Sequence, residues 1–334
     1  MANFYNAITD VSGIEVGHAQ NEEALTGCTV ILCRKGAVAG VDVRGSAPGT
    51  RETDLLNPLN LVQKVHAIVL AGGSAFGLDA ASGVVRYLEE KKIGFNTGVA
   101  KVPIVPSAIL YDLAIASADV RPDSAMGYQA VSSASSSPPL QGNVGAGTGA
   151  TVGKMFGMKF AMKAGLGTSS INLGAGVMVG AIVAVNPYGD VIDPSTGNII
   201  AGLRTGKLGV LKIGDKKNLF ADTLSMMKHP IGKGVLGIAS LSNTVIGVVA
   251  TNAKLTKAQA TKVAQMAQDG IARAIRPAHT MFDGDVIFAL STGTKKADIS
   301  TLGAYAAEAM SQAIIRGVQS AKSAGGLIGL NQDL

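Results

Sequence analysis

Two stretches of this chain, Met178–Val185 and Thr244–Ala250, are apolar almost without interruption yet no longer than a strand. Runs of that kind are buried on both faces, which requires covering layers above and below a sheet. His66-Ala-Ile-Val-Leu-Ala-Gly-Gly73 reads as a third such strand, ending in a glycine turn that feeds a helix over 77–91, and Asp285–Ser291 reads as a fourth. Helical patterns alternate with these runs. Over Thr256–Ile275, residues Val263, Met266, Ala267, Ile271, Ala274 and Ile275 recur at three- and four-residue spacings, and Leu302, Ala306, Met310, Ile314 and Val318 form a stripe of period four. Buried strands interleaved with amphipathic helices predict an α/β fold with helices outside. Ser132–Pro139 reads as a loop, and Gly189–Gly234 is turn-rich with the weakest pattern. No internal repeat or linker divides the chain, so residues 1–334 are expected to form a single domain.

Composition narrows the class. With 47% hydrophobic residues the 334-residue chain is expected to fold rather than stay disordered, and its 43 glycines follow no collagen period. Many glycines beside only 4% aromatics point to tight turns and close backbone approaches. The net charge is +6, but the lysines fall in scattered pairs (Lys91-Lys92, Lys216-Lys217, Lys295-Lys296) without interleaved aromatics, so no nucleic-acid partner is expected. No apolar run reaches the length of a membrane span, and the first ten residues lack a basic start and an apolar h-region. A cytoplasmic protein without a membrane partner is expected. Cys28 and Cys33 lie five apart on one predicted strand, hence on opposite faces, and are expected to be reduced.

Familiar motifs fail on spacing. In Gly142-Asn-Val-Gly-Ala-Gly-Thr-Gly-Ala-Thr-Val-Gly-Lys154 neither a phosphate loop nor a dinucleotide fingerprint can be drawn, which leaves close backbone packing around a site. Leu70-Ala-Gly-Gly-Ser-Ala-Phe-Gly77 resembles a nucleophile elbow, but Phe76 stands in the second glycine's place. A strand-to-helix turn whose N–H groups bind an anion or a carbonyl oxygen remains the expectation there. His18, His66, His229 and His279 are too scattered for a zinc site, and no metal or cofactor is expected. Asp283-Gly-Asp285 enters a strand, where side chains two apart share a face: by itself this reads as a solvated turn before the strand, and the alternative is two carboxylates converging on one site, where repulsion would perturb their pKa values. Asn243-Thr244 opens the strand beginning at Thr244, which by itself is an ordinary place for a β-branched residue.

Taken in order, five segments resemble the DmpA-type aminopeptidase/esterase family, which includes β-aminopeptidases and the nylon-oligomer hydrolase. They are Ile8–Gly17, Leu70–Ala81, Gly142–Gly149, Lys163–Ser170 and Asn243–Asn252, and together they run through nearly the whole chain. The resemblance implies a four-layer α/β/β/α sandwich of the N-terminal-nucleophile-hydrolase kind and autocatalytic cleavage at Asn243–Thr244, giving residues 1–243 and 244–334. Threonine rather than serine at the junction favours the nylon-oligomer branch. By matching surroundings, that branch places Lys154, Asn186, Tyr111, Asp283 and Asp285 around Thr244. Oligomers of processed protomers, commonly tetramers, are also implied.

The chemistry implied is amide hydrolysis. The cut frees an α-amine covalently beside the Thr244 hydroxyl, a base where an unaided hydroxyl is a poor nucleophile. In this account Asn186 and Tyr111 donate to the oxyanion, Asp283 and Asp285 orient the amine and hydroxyl, and Lys154 lowers the amine's pKa. Small-molecule or short-peptide amides are the substrates implied, linear ω-amino-acid oligomers among them. Two other readings stay open: an acyltransferase of the ornithine-acetyltransferase type using the same threonine, which amino-acid acceptors would reveal, and a binding protein that never processes, which a gel would reveal.

Overall fold

The computed structural model describes residues 4–209, 211–215, 217–229 and 243–332. Lys216, the first three residues and the 230–234 end of the turn-rich segment lie outside these. Nine strands form one continuous sheet: β1 (Glu15–Asn21), β2 (Thr26–Val43), β3 (Thr50–Arg51), β4 (Val65–Ala71), β5 (Ser107–Ile109), β6 (Leu166–Asn172), β7 (Met178–Asn186), β8 (Thr244–Ala253) and β9 (Val286–Lys295). The longer helices are α1 (Ala80–Glu90), α2 (Ser124–Ser132), α3 (Lys257–Ala274) and α4 (Ile299–Gln319).

The strand order is β6-β7-β8-β9-β2-β4-β5-β3, with β1 also on β2. β2 is 18 residues long and belongs to two half-sheets. Its first part, Cys28 to Leu32, pairs with β4 and β1, while Val38 to Val43 pairs with β9. The register slips between Leu32 and Ala37, so the strand changes partners where it is irregular. Most neighbours are antiparallel. β8 and β9 are parallel, joined by α3 in a β-α-β unit.

Side-chain alternation sorts the core into three seams. Ile182, Ile246, Val248, Phe288 and Leu290 of one half-sheet meet Ile31, Ile68 and Leu70 of the other in a seam between the sheets. The opposite faces, Val183, Val245, Val249, Ile287 and Ala289, lie under Ala264, Ile271, Leu302, Ala306, Met310 and Ile314 of α3 and α4. On the far side, Cys28, Val30, Ala67 and Val69 pack against Val84, Leu88 and Ala130 of α1 and α2. The layers therefore run helix, sheet, sheet, helix, as the family resemblance implies. Cys28 and Cys33 are free, buried and in different seams, as an offset of five on one strand requires.

The helices begin where the chain offers caps. Thr256 accepts from the Gln259 N–H in a capping box, and Asp298 accepts from Thr301. The C-terminal stripe and the 256–275 helix are found as read. The segment after the third buried strand differs: a 3-10 turn, Ser74–Asp79, precedes α1. Among its described residues the turn-rich region holds short strands and the six-residue helix Thr223–Lys228. Lys91, Lys92, Lys217, Lys295 and Lys296 are exposed. Among the described residues no helix is long and apolar enough to cross a membrane.

Close layering explains part of the glycine content. A Cβ on Gly40 would fall 2.1 Å from the Thr261 nitrogen on the α3 backbone, so β2 and α3 touch main chain to main chain. Gly40→Ala must push the helix off the sheet, and urea denaturation should show a loss of about 1–3 kcal/mol, the range for overpacked cores. An unchanged midpoint would refute the contact.

Candidate active site

The site begins with strand register. β7 and β8 pair so that Asn186 stands directly opposite Thr244, the last and first residues of their strands. Both share the parity of Ile182, Ala184, Ile246 and Val248, so their side chains leave the ladder on the inter-sheet side, at the end of that seam. Asn186 is fully buried and Thr244 is 4% exposed. The Asn186 side-chain oxygen accepts from the Thr151 N–H at 3.0 Å and from Lys154 Nζ at 2.7 Å, which assigns the amide's orientation. Its Nδ2 donates to the Tyr111 carbonyl at 3.1 Å. Lys154 is buried as well and also donates to the Asn186 and Thr151 carbonyls, at 3.0 and 3.3 Å. Burial holds its ammonium well below the ordinary lysine value, against the pull of Asp283 and Asp112.

The two aspartates lie in the turn that enters β9, and they are held differently. Asp285 Oδ1 accepts from the Val245 N–H at 2.8 Å, and its Oδ2 meets His279 Nδ1 at 2.8 Å. Asp283 Oδ2 accepts from the Thr280 N–H and hydroxyl at 2.7 and 2.6 Å. Its other oxygen is buried with no partner among the described residues. Burial and then the charge of Asp285 push the Asp283 carboxyl up to about 6, although the Thr280 bonds and Lys154 pull the other way.

The Asn243–Thr244 peptide is itself buried, with Asn243 2% exposed. The Thr244 hydroxyl lies against the Asn243 carbonyl oxygen, to which it donates. The same oxygen accepts from the Gly284 N–H at 3.0 Å. The Asp283 carbonyl accepts from Ala47, and the Asp285 carbonyl from Arg44 and Gly45, at 3.0–3.1 Å. The Asp-Gly-Asp turn is thus clamped against the strand start.

The five residues expected around Thr244, namely Lys154, Asn186, Tyr111, Asp283 and Asp285, all belong to this neighbourhood. What Tyr111 is seen to contribute is its carbonyl, to which Asn186 donates; the half-buried residue also lines a narrow crevice with Ile115, Thr151, Lys154 and Met158. The turn at 72–74 does not offer open N–H groups. Gly72, Gly73 and Ser74 donate to the Gly27 carbonyl, Asp112 Oδ1 and the Leu110 carbonyl at 2.7–3.0 Å. His279, Thr280 and Tyr188 escaped sequence reasoning. His279 was visible only as an isolated histidine, because nothing in the spacing showed that the chain folds back on Asp285. Tyr188 is buried with its hydroxyl unpartnered among the described residues, and burial followed by the charge of Asp283 pushes it up to about 12. The glycine segment ending at Lys154 is packed, not phosphate-binding: buried Lys163 donates to the Gly147, Ala150 and Ala164 carbonyls at 3.2, 2.8 and 2.6 Å. Among the described residues no group of three His, Cys, Asp or Glu is placed to hold a metal ion.

The family model described as Peptidase family S58 matches residues 6–331. An uncharacterized aminopeptidase of Mycobacterium leprae (strain TN) is 40% identical, the match covering 98% of this chain and 94% of that one. A 6-aminohexanoate-oligomer endohydrolase of Kocuria sp. (strain KY2) is 32% identical over 92% of this chain and 84% of its own. Among solved structures, a Burkholderia sp. beta-aminopeptidase superposes with TM-score 0.68 at 24% identity, covering 98% of this chain and 91% of its own. The L-aminopeptidase D-Ala-esterase/amidase of Ochrobactrum anthropi, described as a variant of the Ntn hydrolase fold, gives 0.67 at 20%, covering 96% and 88%. These two structural likenesses establish the Ntn-hydrolase fold.

The raised Asp283 carboxyl has a signed consequence for stability. An acid whose folded value is about 6 against an ordinary 3.8 favours folding while protonated, and that advantage is lost as pH rises through about 6. In a Thr244→Ala background, Asp283→Asn should match its parent below pH 4, then gain over it up to about pH 6 and hold that gain above. Urea midpoints at pH 4 and pH 8 that differ equally between the two proteins would contradict the buried, partly orphaned carboxylate.

Proposed function

The chain belongs to peptidase family S58 and is a hydrolase of amide bonds, and on that premise we propose that Thr244 is its nucleophile, released by self-cleavage at Asn243–Thr244. The observation that carries this reading is the Thr244 hydroxyl held on the carbonyl of the preceding residue, inside a buried nest of ionisable groups. Thr244 Oγ1 adds to the Asn243 carbonyl carbon while the hydroxyl proton passes to Asp283, whose second oxygen is unpartnered among the described residues. The C–N bond breaks, and the proton leaves with the nitrogen, now the Thr244 α-amine. Water hydrolyses the ester, restoring the hydroxyl and leaving the Asn243 carboxylate.

In turnover the free amine takes the role of base, with an ordinary pKa near 7.7–8.0. Lys154 lies beside it as a group of like charge whenever protonated, favouring the neutral, proton-accepting amine. Lys154 also sets the Asn186 amide through the 2.7 Å bond to its oxygen. Asp285, tied to His279 and to the Val245 N–H, holds the new N-terminus in line. The relatives named as aminopeptidases and as 6-aminohexanoate-oligomer endohydrolases support small amides, short peptides and linear ω-amino-acid oligomers as substrates. A cytoplasmic tetramer of processed protomers completes the reading.

A denaturing gel tests it. The wild-type protein should give two bands summing to 33.8 kDa, the smaller beginning Thr-Val-Ile-Gly on N-terminal sequencing. Thr244→Ala should run as a single chain without amidase activity; cleavage that persists in it would remove Thr244 from the mechanism. Asp283→Asn should keep the fold and lower the rate of the cut by about 10²-fold, the lower range for losing a positioned acid–base partner, and band densities over time report that rate.

A further inference from the structure

We infer that the backbone N–H of Gly284 is an oxyanion donor of this site, serving the Asn243 carbonyl in the self-cleavage and the substrate's acyl carbonyl in turnover. The inference rests on Thr244 being the nucleophile. In the uncut chain Asn243 is the acyl group presented to that hydroxyl, so its carbonyl oxygen marks where negative charge develops. The Gly284 N–H already donates to that oxygen at 3.0 Å, within the reach expected of an oxyanion donor. Any amide substrate must present its own carbonyl to the same hydroxyl, and so to the same N–H.

Three further features make this more than an incidental backbone contact. The Asp283–Gly284 peptide is gripped at its other end, where the Ala47 N–H donates to the Asp283 carbonyl at 3.0 Å. A chain of two bonds therefore runs from Ala47 through that peptide to the Asn243 oxygen, and each polarises the next in the same sense. The turn is fixed on both flanks, by Arg44 and Gly45 on the Asp285 carbonyl and by the Asp283 N–H on the Thr280 carbonyl, so the donor does not have to be reorganised during the reaction. Finally, only glycine leaves room. A Cβ on residue 284 would sit 2.9 Å from Thr244 Oγ1 and 2.5 Å from the Ala47 oxygen, displacing the nucleophile or the clamp. The Asn186 amide, the donor implied by the family resemblance, has its Nδ2 on the Tyr111 carbonyl at 3.1 Å; Gly284 is a donor already seated on the reacting oxygen.

A side-chain substitution cannot remove an N–H, but an ester can. Cell-free translation with a tRNA charged with glycolic acid at codon 284 replaces that N–H by oxygen and leaves every side chain in place. The self-cleavage should slow by about 10²-fold or more, the loss measured when one oxyanion donor is deleted. Material that matures slowly should show a kcat lowered similarly toward a peptide amide, with KM little changed. The control is lactic acid at codon 47, which removes the neighbouring Ala47 N–H and should slow the cut only several-fold. Limited proteolysis of both ester chains reports whether they are folded. Equal rates for the glycolate and all-amide chains sink the Gly284 assignment alone, and so does an equal slowing by the lactate control, which would make the effect structural. Failure of the all-amide chain to cut at all sinks the nucleophile reading and this inference with it.

Discussion

One ladder pairing holds the site together: Asn186 opposite Thr244, at the ends of two largely apolar strands. Because side chains alternate, the register that buries Ile182 and Ile246 between the sheets also delivers an amide and a hydroxyl to the same edge of that seam. A slip of one residue would turn both toward the helices. Everything else in the site is referred to this pair. Lys154 and Thr151 arrive on Asn186, and Asp285 arrives on the N–H of Val245, one residue beyond the threonine. The precision of the chemistry is inherited from hydrophobic packing some distance away.

The cost of that arrangement is visible in its charges. Lys154 and Asp283 are nearly inaccessible to solvent, and burial shifts each toward its neutral form. Such groups destabilise the fold unless partnered, and here the partnering is incomplete by design of the cavity. Asp283 keeps one oxygen without a partner among the described residues, while Asp285 has both engaged. Two carboxylates a residue apart thus suit the separate uses proposed above, one moving a proton and the other serving as an anchor. Their environments, and not their identities, make the division.

The layered architecture was legible in the sequence because it is written in periodicity. The apolar runs of β7 and β8, the stripe on α4 and the capped helix α3 all carry enough repeats to declare themselves. β2 was harder: only the stretch that ends at Cys33 read as a strand, since the second half crosses into another half-sheet and its burial pattern breaks after that residue. The candidate site's neighbourhood came from the family resemblance, because a lone lysine, tyrosine or aspartate has no periodic signature. His279 and Tyr188 illustrate the limit. Each reaches the site through a turn, and the folding back of a turn leaves no mark on spacing. The glycine segment at 142–153 was read rightly as packing, yet Lys163, which holds its carbonyls, could not be distinguished from a surface lysine.

The order of strands has a further consequence for the two-chain form proposed here. The piece beginning at Thr244 supplies β8 and β9, which lie in the interior of the sheet with β7 on one side and β2 on the other, both from the longer piece. Severing the peptide therefore releases nothing; the shorter piece's two strands stay hydrogen-bonded between β7 and β2 of the longer one. What changes is the return journey. A chain that first folded as a single molecule becomes, once unfolded, a bimolecular problem, whose partners must find one another at whatever concentration the cell or the test tube provides. On the proposed reading maturation is a one-way gate, and the durability of the two-chain enzyme is set by how slowly the inserted strand pair comes away from its neighbours.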